Sequence, residues 1–310
     1  MPRNTDLATI LFPVSLEPIH CGEAGTGAKV PGYRAVVRKD RNQVLSVVST
    51  SYELLPNLRA IEMGKAAFHT LFPDSAPEAF KIYDIKTTKS GSACSIDLID
   101  PGWRMDVWEQ ETWLPFLRVS NSYNRSRALS FDFGFVRKLC ANGIIFNQRT
   151  VRAKYTHTKG QMDVNFDTNP EFKGLKELEA QFTGHLKFLR ETSVEKDQLS
   201  PLALFLLDLS FSLEAKDTAR AKRESERLAK VSARLNELAG TYLGQGNPSL
   251  YTALNMATDF ASHSPKLGGN FATAQKLQAK VGQRSRDIET FFEGRNELEL
   301  LIAGQRLLLN

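Results

Sequence analysis

The stretch RVSNSYNRSRALSFDFGFVRKLCAN, residues 118–142, joins a strand pattern to a high density of cations. Apolar side chains recur at every second position from Leu129 to Phe135, which predicts a strand with one packed face. Ser130 and Asp132 alternate with them and are expected on the opposite face. The phenylalanines would then belong to a core, and the arginines need a separate explanation.

A cluster of small polar side chains precedes this strand, from Asn121 to Ser126. Such residues form turns by hydrogen-bonding their own backbone, so a tight connection between two antiparallel strands explains the cluster. The alternative is that Asn121, Ser122 and Asn124 hydrogen-bond a ligand at the tip of the loop. Both interpretations place the cluster between two strands.

Basic residues dominate the segment from Arg118 to Lys159, where Asp132 is the single acid and the local charge exceeds the +5 of the whole chain. Solvated faces usually mix both signs, so this imbalance favours a groove for a nucleic-acid backbone, with Tyr123 available for stacking. The alternative is a solvated polar face. The residues predicted to contact nucleic acid are Arg118, Tyr123, Arg125, Arg127, Arg137, Lys138, Arg149, Arg152 and Lys154.

After the strand, Val136, Leu139 and Cys140 follow helical spacing, which predicts a short helical turn. Arg137 and Lys138 would point outward from this turn.

The flanking sequence predicts an α+β protein, with an antiparallel sheet-containing N-terminal part and a helical C-terminal part. Turn-forming residues predict an irregular arm over 1–32. The rest of the sequence predicts a β-rich α+β domain with a basic face over 33–160 and a helical domain over 161–310. Two hairpins are expected in the β-rich part, residues 33–49 and 80–100, with a helix over 58–72 between them.

Neither a metal site nor a cofactor site is predicted. The three cysteines, Cys21, Cys94 and Cys140, are far apart and outside any CxxC pattern, which favours a reducing, cytoplasmic setting. No phosphate loop is recognisable, and the most apolar run is too short to span a membrane. Asp97 and Asp100, at the end of a predicted strand, are the candidate carboxylates of a metal-dependent nuclease, although strand-end acids are commonly turn caps.

Three segments in order, between about Tyr33 and His263, resemble the phage and plasmid-like proteins grouped as domain of unknown function 932. The most specific piece is an Asn-Ser loop followed by an R-x-x-C-x-N arrangement. The loop departs from the family's Asn-Ser-His-Asp-Gly-Ser pattern, with Tyr123 in place of histidine and Arg125 in place of glycine. The residues assigned to the family-motif loop are Asn121, Ser122, Asn124, Ser126 and Asn142.

The resemblance implies mobile-element biology and supplies no reaction. Together with the basic segment, it leads us to expect a non-enzymatic DNA-binding protein that binds or anneals single strands in replication, recombination or protection of the element's DNA. A homo-oligomer fits annealing, and no membrane partner is expected. The alternatives are a nuclease or other DNA-modifying enzyme, and an interaction protein that binds a host factor.

Overall fold

The structure is a computed structural model and describes residues 5–22, 27–109, 111–138, 143–145, 152–158, 175–213, 218–244, 247–269 and 273–292. The strands are β1 (Val14–Cys21), β2 (Ala28–Arg38), β3 (Gln43–Ser49), β4 (Lys81–Thr87), β5 (Ala93–Ile99), β6 (Met105–Trp108), β7 (Glu111–Ser122), β8 (Leu129–Arg137), β9 (Gly143–Ile145) and β10 (Arg152–Tyr155). The helices are α1 (Asn57–Leu71), α2 (Leu175–Glu191), α3 (Leu199–Leu207), α4 (Thr218–Leu243), α5 (Leu250–His263) and α6 (Ala274–Phe292). The protein is therefore α+β, as predicted.

In the described part of the chain, the paired strands are antiparallel. One sheet has the order β1-β2-β3, and the other has the order β10-β8-β7-β5-β4, with β6 on β7 and β9 on β8. Both predicted hairpins are confirmed as β2–β3 and β4–β5, and the helix predicted between them is α1.

Two local predictions are wrong. Residues expected to form an irregular arm contain β1, which pairs with β2 from Val14↔Arg38 to Cys21↔Ala28. The helical turn expected from Val136 does not start there, because β8 continues to Arg137 and Lys138 lies in a turn. Leu139 and Cys140 lie outside the described residues.

The chain forms two compact units that do not follow the predicted division at residue 160. The first, here called the sheet unit, contains the chain up to Arg104, Pro115–Phe133 and β10. The second, here called the helical unit, contains Met105–Leu114, the end of β8, β9 and the helices α2 to α6, except for Leu175. Strands β7 and β8 each contribute residues to both units.

In the sheet unit, α1 packs through an aromatic cluster. The ring of Phe68 lies 4.7 Å from Phe80 and 4.9 Å from Phe72, and Phe72 lies 6.2 Å from Phe133 on β8. The apolar face predicted for β8 is therefore confirmed as a core face. The opposite face is also covered, since Ser130 is 5% and Asp132 is 2% exposed.

In the helical unit, α3 is central, and each of its residues is buried. Phe182 of α2 stacks on Phe135 at 4.2 Å and meets the edge of Trp113 at 5.3 Å. Of the helices in the described part of the chain, none has both the length and the apolar character needed to cross a membrane.

The close approach of α1 to the sheet depends on Gly64. A Cβ at this position would lie 2.3 Å from Cγ2 of Val119 and 3.0 Å from Cδ1 of Leu98. Gly64→Ala should therefore destabilise the protein by about 1–3 kcal/mol, because the helix must move off the strands. Urea denaturation measures this. The matched control is Gly240→Ala in α4, where a Cβ meets nothing within 4 Å and a gain of about 0.5–1 kcal/mol is expected. Equal effects of the two substitutions would contradict the close-packing role.

Candidate functional site

Asn121, a predicted ligand-contacting residue, is fully buried at the end of β7. Its Nδ2 donates to the carbonyl of Leu55 at 3.0 Å and to Oδ1 of Asn57 at 2.8 Å. Asn57 begins α1 and donates from its own Nδ2 to the carbonyl of Ile10 at 2.9 Å. The two amides thus tie the N-terminal turn, α1 and β7 together.

Tyr123 is also structural. Its side chain is 1% exposed, and its hydroxyl accepts the backbone N–H of Asn57 at 2.9 Å. The first N–H groups of a helix have no partner within the helix, so this hydroxyl satisfies a donor that α1 leaves open. Burial raises the pKa of Tyr123 well above its usual value, which keeps the hydroxyl neutral. The prediction that Tyr123 is available for base stacking is wrong.

The rest of the Asn-Ser loop closes on itself. Ser122 Oγ donates to the carbonyl of Arg127 at 2.7 Å and accepts that residue's N–H at 3.0 Å. Asn124 Oδ1 accepts the N–H of Ser126 at 3.1 Å, and its Nδ2 donates to Ser92 Oγ at 3.1 Å. These bonds confirm the interpretation of the cluster as a tight connection between two strands.

Arg118 is 2% exposed and forms a bidentate ion pair with Asp97, its cross-strand partner. Nε and Nη2 of the guanidinium lie 2.5 and 2.6 Å from the two carboxylate oxygens. Burial disfavours the charged guanidinium, but Asp97, Asp132 and Asp84 together raise the pKa of Arg118 above its usual value. The prediction that Arg118 contacts nucleic acid from an exposed face is wrong, because its charge is needed inside the sheet unit.

The two carboxylates considered for a nuclease are both engaged. Asp97 pairs with Arg118, and Asp100 accepts the hydroxyl of Ser75 and the N–H of Gly102. Asp100 is therefore the turn cap that strand-end acids often are. Within the described ranges, no three His, Cys, Asp or Glu side chains group together in a way that could hold a metal ion.

Arg137 belongs to the helical unit and does not point outward. Its guanidinium donates to both oxygens of Glu111, with Nε 2.7 Å from Oε1 and Nη2 2.6 Å from Oε2. Tyr251 of α5 donates its hydroxyl to the same carboxylate at 2.6 Å. Sequence reasoning missed Glu111 and Tyr251 because they lie 26 and 140 residues from their partners.

The remaining predicted cations differ in their exposure. Arg125, Lys138 and Lys154 are exposed, and Arg127 is half-buried with Nη1 donating to Ser95 at 2.9 Å. Arg152 lies on β10, but its side chain is outside the described part of the structure, as are Arg149 and Asn142 entirely. The cations predicted as one surface are therefore divided among buried ion pairs, exposed loop positions and undescribed positions.

A basic cleft that the sequence did not reveal lies in the helical unit, with a volume of about 790 Å³. Five cations from two helices line it: Arg220, Arg223, Arg227, Lys276 and Lys280. The arginines follow one another at i, i+3 and i+7 on α4, and the lysines at i and i+4 on α6. This spacing of cations is visible in the sequence and indicates a shared helix face, but it was not recognised among the mixed charges of α4.

Two acids also line the cleft, and both are already paired. Glu224 lies 2.7 Å from Nη2 of Arg227, whose hydrogen bond lowers the pKa of the carboxyl. Burial acts to raise the pKa of Asp208, but Arg284 at 2.8 Å and Lys280 at 3.0 Å hold it below its usual value. With its acids neutralised by neighbours, the cleft is positively charged.

Breaking the buried ion pair should be costly. Arg118→Met leaves Asp97 charged and buried without its partner, so a loss of about 3–5 kcal/mol in the free energy of unfolding is expected. Removing both charges with Arg118→Met and Asp97→Leu should recover part of that loss. The control is Lys39→Met, which breaks the exposed pair with Glu17 and should change the free energy of unfolding far less, because solvent screens exposed charges. Urea denaturation compares the three, and a loss for Arg118→Met no larger than that of the control would contradict the role given to the pair.

Stability should also depend on His157. Its ring stacks on Tyr52 at 5.3 Å, and burial lowers the pKa of His157 below 6.5. The unfolded chain therefore binds this proton more readily, so the contribution of neutral His157 is present above about pH 6.5 and is lost as the pH falls. His157→Phe keeps the stack and removes the titration. The wild type should lose more unfolding free energy than the variant between about pH 7.5 and about pH 5.5. Identical pH profiles would refute the assignment.

Comparison with known proteins gives a family and no function. The family model described as "Domain of unknown function (DUF932)" matches residues 101–290, which is more than half of the chain. No curated protein and no solved structure matches it. The matched range includes the Asn-Ser loop, Arg137, the basic cleft and α5. The chain belongs to the DUF932 family.

Proposed function

We propose that this protein binds single-stranded nucleic acid and that the basic cleft of the helical unit holds the phosphate backbone. The observation that carries the proposal is the cleft itself, in which five cations surround a cavity of about 790 Å³ and both acids are already paired. A polyanion releases condensed counterions when several Lys and Arg side chains neutralise its phosphates, and this release drives binding without reading sequence.

The cations of the cleft divide into supporting and contacting groups. Arg227 donates Nη1 to the carbonyl of Gly268 at 3.1 Å and packs 4.1 Å from the ring of Phe211, so it holds the wall of the cleft. Arg220, Arg223 and Lys276 are exposed and line the same cavity. We assign the phosphate contacts to these three side chains.

We keep a single strand as the proposed ligand, in line with the expectation from the sequence. Stacking on Tyr123 has no place in this proposal, since that ring is buried. Binding through phosphates alone predicts little sequence preference. The exposed Arg125 and Lys154 of the sheet unit, together with Arg127, remain proposed additional backbone contacts.

The cellular role that we propose follows from this activity. A protein that covers single strands without reading their sequence suits replication, recombination or protection of the DNA of a mobile element in the cytoplasm, and strand annealing would add self-association. The two carboxylates considered for the nuclease alternative, Asp97 and Asp100, are engaged in structural contacts and do not favour it.

The test removes the contacting cations. Replacing Arg220, Arg223 and Lys276 with glutamine should weaken binding of a single-stranded oligonucleotide and lower the slope of log affinity against log salt by about 2, since each phosphate contact on a single strand contributes about 0.7. Fluorescence anisotropy across a salt series measures both quantities.

The control removes the same charge elsewhere in the helical unit. Lys196, Lys222 and Lys230 are exposed and do not line the cleft, and their replacement with glutamine should change affinity far less. If the cleft variant and this control bind alike, the cleft is not the interface. A third variant, with Arg125, Arg127 and Lys154 changed to glutamine, measures the share of the sheet unit. Failure of the unmodified protein to bind any single strand at low salt would refute the proposed function as a whole.

A further inference from the structure

A second cavity of the helical unit is smaller, at about 370 Å³, and differs from the basic cleft in chemistry. Its lining includes Glu111, Arg137, Tyr251, Asn255, Arg190 and Trp108. The volume lies in the lower part of the range of small-molecule sites, which is roughly 300–1,000 Å³. It is too large for a single inorganic ion and too small for a polymer to enter.

The buried charges in the wall of this pocket are paired with each other. Glu111 is 3% exposed, and its carboxylate is held by Arg137 and by the hydroxyl of Tyr251. Burial raises the pKa of Tyr251 well above its usual value, so the hydroxyl stays protonated and donates to Glu111. This network gives the pocket rigid walls, and a ligand does not have to neutralise Glu111.

One buried acceptor in the wall has no partner. Asn255 is 4% exposed, and its Oδ1 makes no hydrogen bond with any described residue. The Tyr251 hydroxyl donates its proton to Glu111, so it cannot also donate to Oδ1 of Asn255. Buried acceptors rarely lack a hydrogen bond, so we expect a ligand in the pocket to donate one to Oδ1.

A cation, Arg190, also lines this pocket. Arg190 is exposed, and its guanidinium lies 4.5 Å from the centre of the Trp108 ring, which is itself half-buried. The stack fixes the plane of the guanidinium and leaves its N–H groups directed to the sides, where they can pair with carboxylate or phosphate oxygens. The N-terminal end of α5, capped by Ser249, adds its positive dipole to the same cavity.

We infer that this pocket binds a small organic anion that carries a neutral hydrogen-bond donor, with the anionic group on Arg190 and the donor on Oδ1 of Asn255. A nucleoside monophosphate offers both groups through its phosphate and its base amino group, and an amino acid amide such as glutamine offers them through its carboxylate and its side-chain NH₂. The site is independent of the single-strand interface, because none of its lining residues lines the basic cleft.

The experiment titrates the full chain with AMP, CMP, L-glutamine, adenosine and inorganic phosphate by calorimetry. Tryptophan fluorescence supplies a second readout, since Trp108 is one of three tryptophans and lines the pocket. At least one of AMP, CMP and glutamine should bind more tightly than millimolar. If the anionic group of the ligand is a phosphate monoester, adenosine and inorganic phosphate should each bind at least tenfold more weakly than AMP, because adenosine lacks the anion and phosphate lacks the base donor. If glutamine alone binds, the anionic group of the ligand is a carboxylate. No binding by AMP, CMP or glutamine would overturn the inference.

Two substitutions test the named contacts. Asn255→Leu removes the acceptor at similar volume, and Arg190→Gln removes the cation at an exposed position where folding is not at risk. Each should weaken binding of the probe at least tenfold, whereas Lys230→Gln, at an exposed position that lines neither cavity, should leave it unchanged. Unaltered probe affinity in Arg190→Gln would overturn the assignment even if Asn255→Leu fails to fold. Oligonucleotide binding should survive Arg190→Gln, so the failure of one site is distinguishable from the failure of the other.

Discussion

The buried ion pair between Arg118 and Asp97 joins β5 to β7 inside the sheet unit and depends on their register. Asp84 pairs in register with Asp97, and Asp97 pairs with Arg118, so charged side chains run across β4, β5 and β7. The neighbouring residues Leu98 and Val119 face α1. Because side chains alternate along a strand, a slip of one residue in β7 would move the guanidinium into the apolar layer and Val119 out of it. Charge and packing therefore specify the same register.

The fold could be predicted from sequence wherever one face of an element is apolar. The phenylalanines of β8, the hairpins β2–β3 and β4–β5, and the helix α1 between them follow the periods of strands and helices, and their type was right. Strand β1 was missed because its turn-forming residues outweigh its pattern, and its stability comes from pairing with β2.

The candidate sites were harder to predict, for a physical reason. The excess of cations in residues 118–159 was counted along the sequence alone. In the fold, Arg118 and Arg137 pair with Asp97 and Glu111, which lie outside that segment. Tyr123 was assigned to a surface because it lies in the basic segment, although its hydroxyl accepts a backbone N–H in the first turn of α1. The basic cleft and the smaller cavity lined by Asn255 each combine residues from separate helices or strands. A pattern read along one segment cannot reveal such a combination.

The division of the chain between its two units limits where the protein can be cut into fragments. The polypeptide passes from one unit to the other within β7 and again within β8, so neither unit is a continuous piece of sequence. A cut at residue 160 would leave the helices α2 to α6 without β6, the first part of β7 and β9, which belong to the same unit. Neither fragment produced by that cut is therefore a complete unit, so the two units cannot be obtained separately by a single division of the chain.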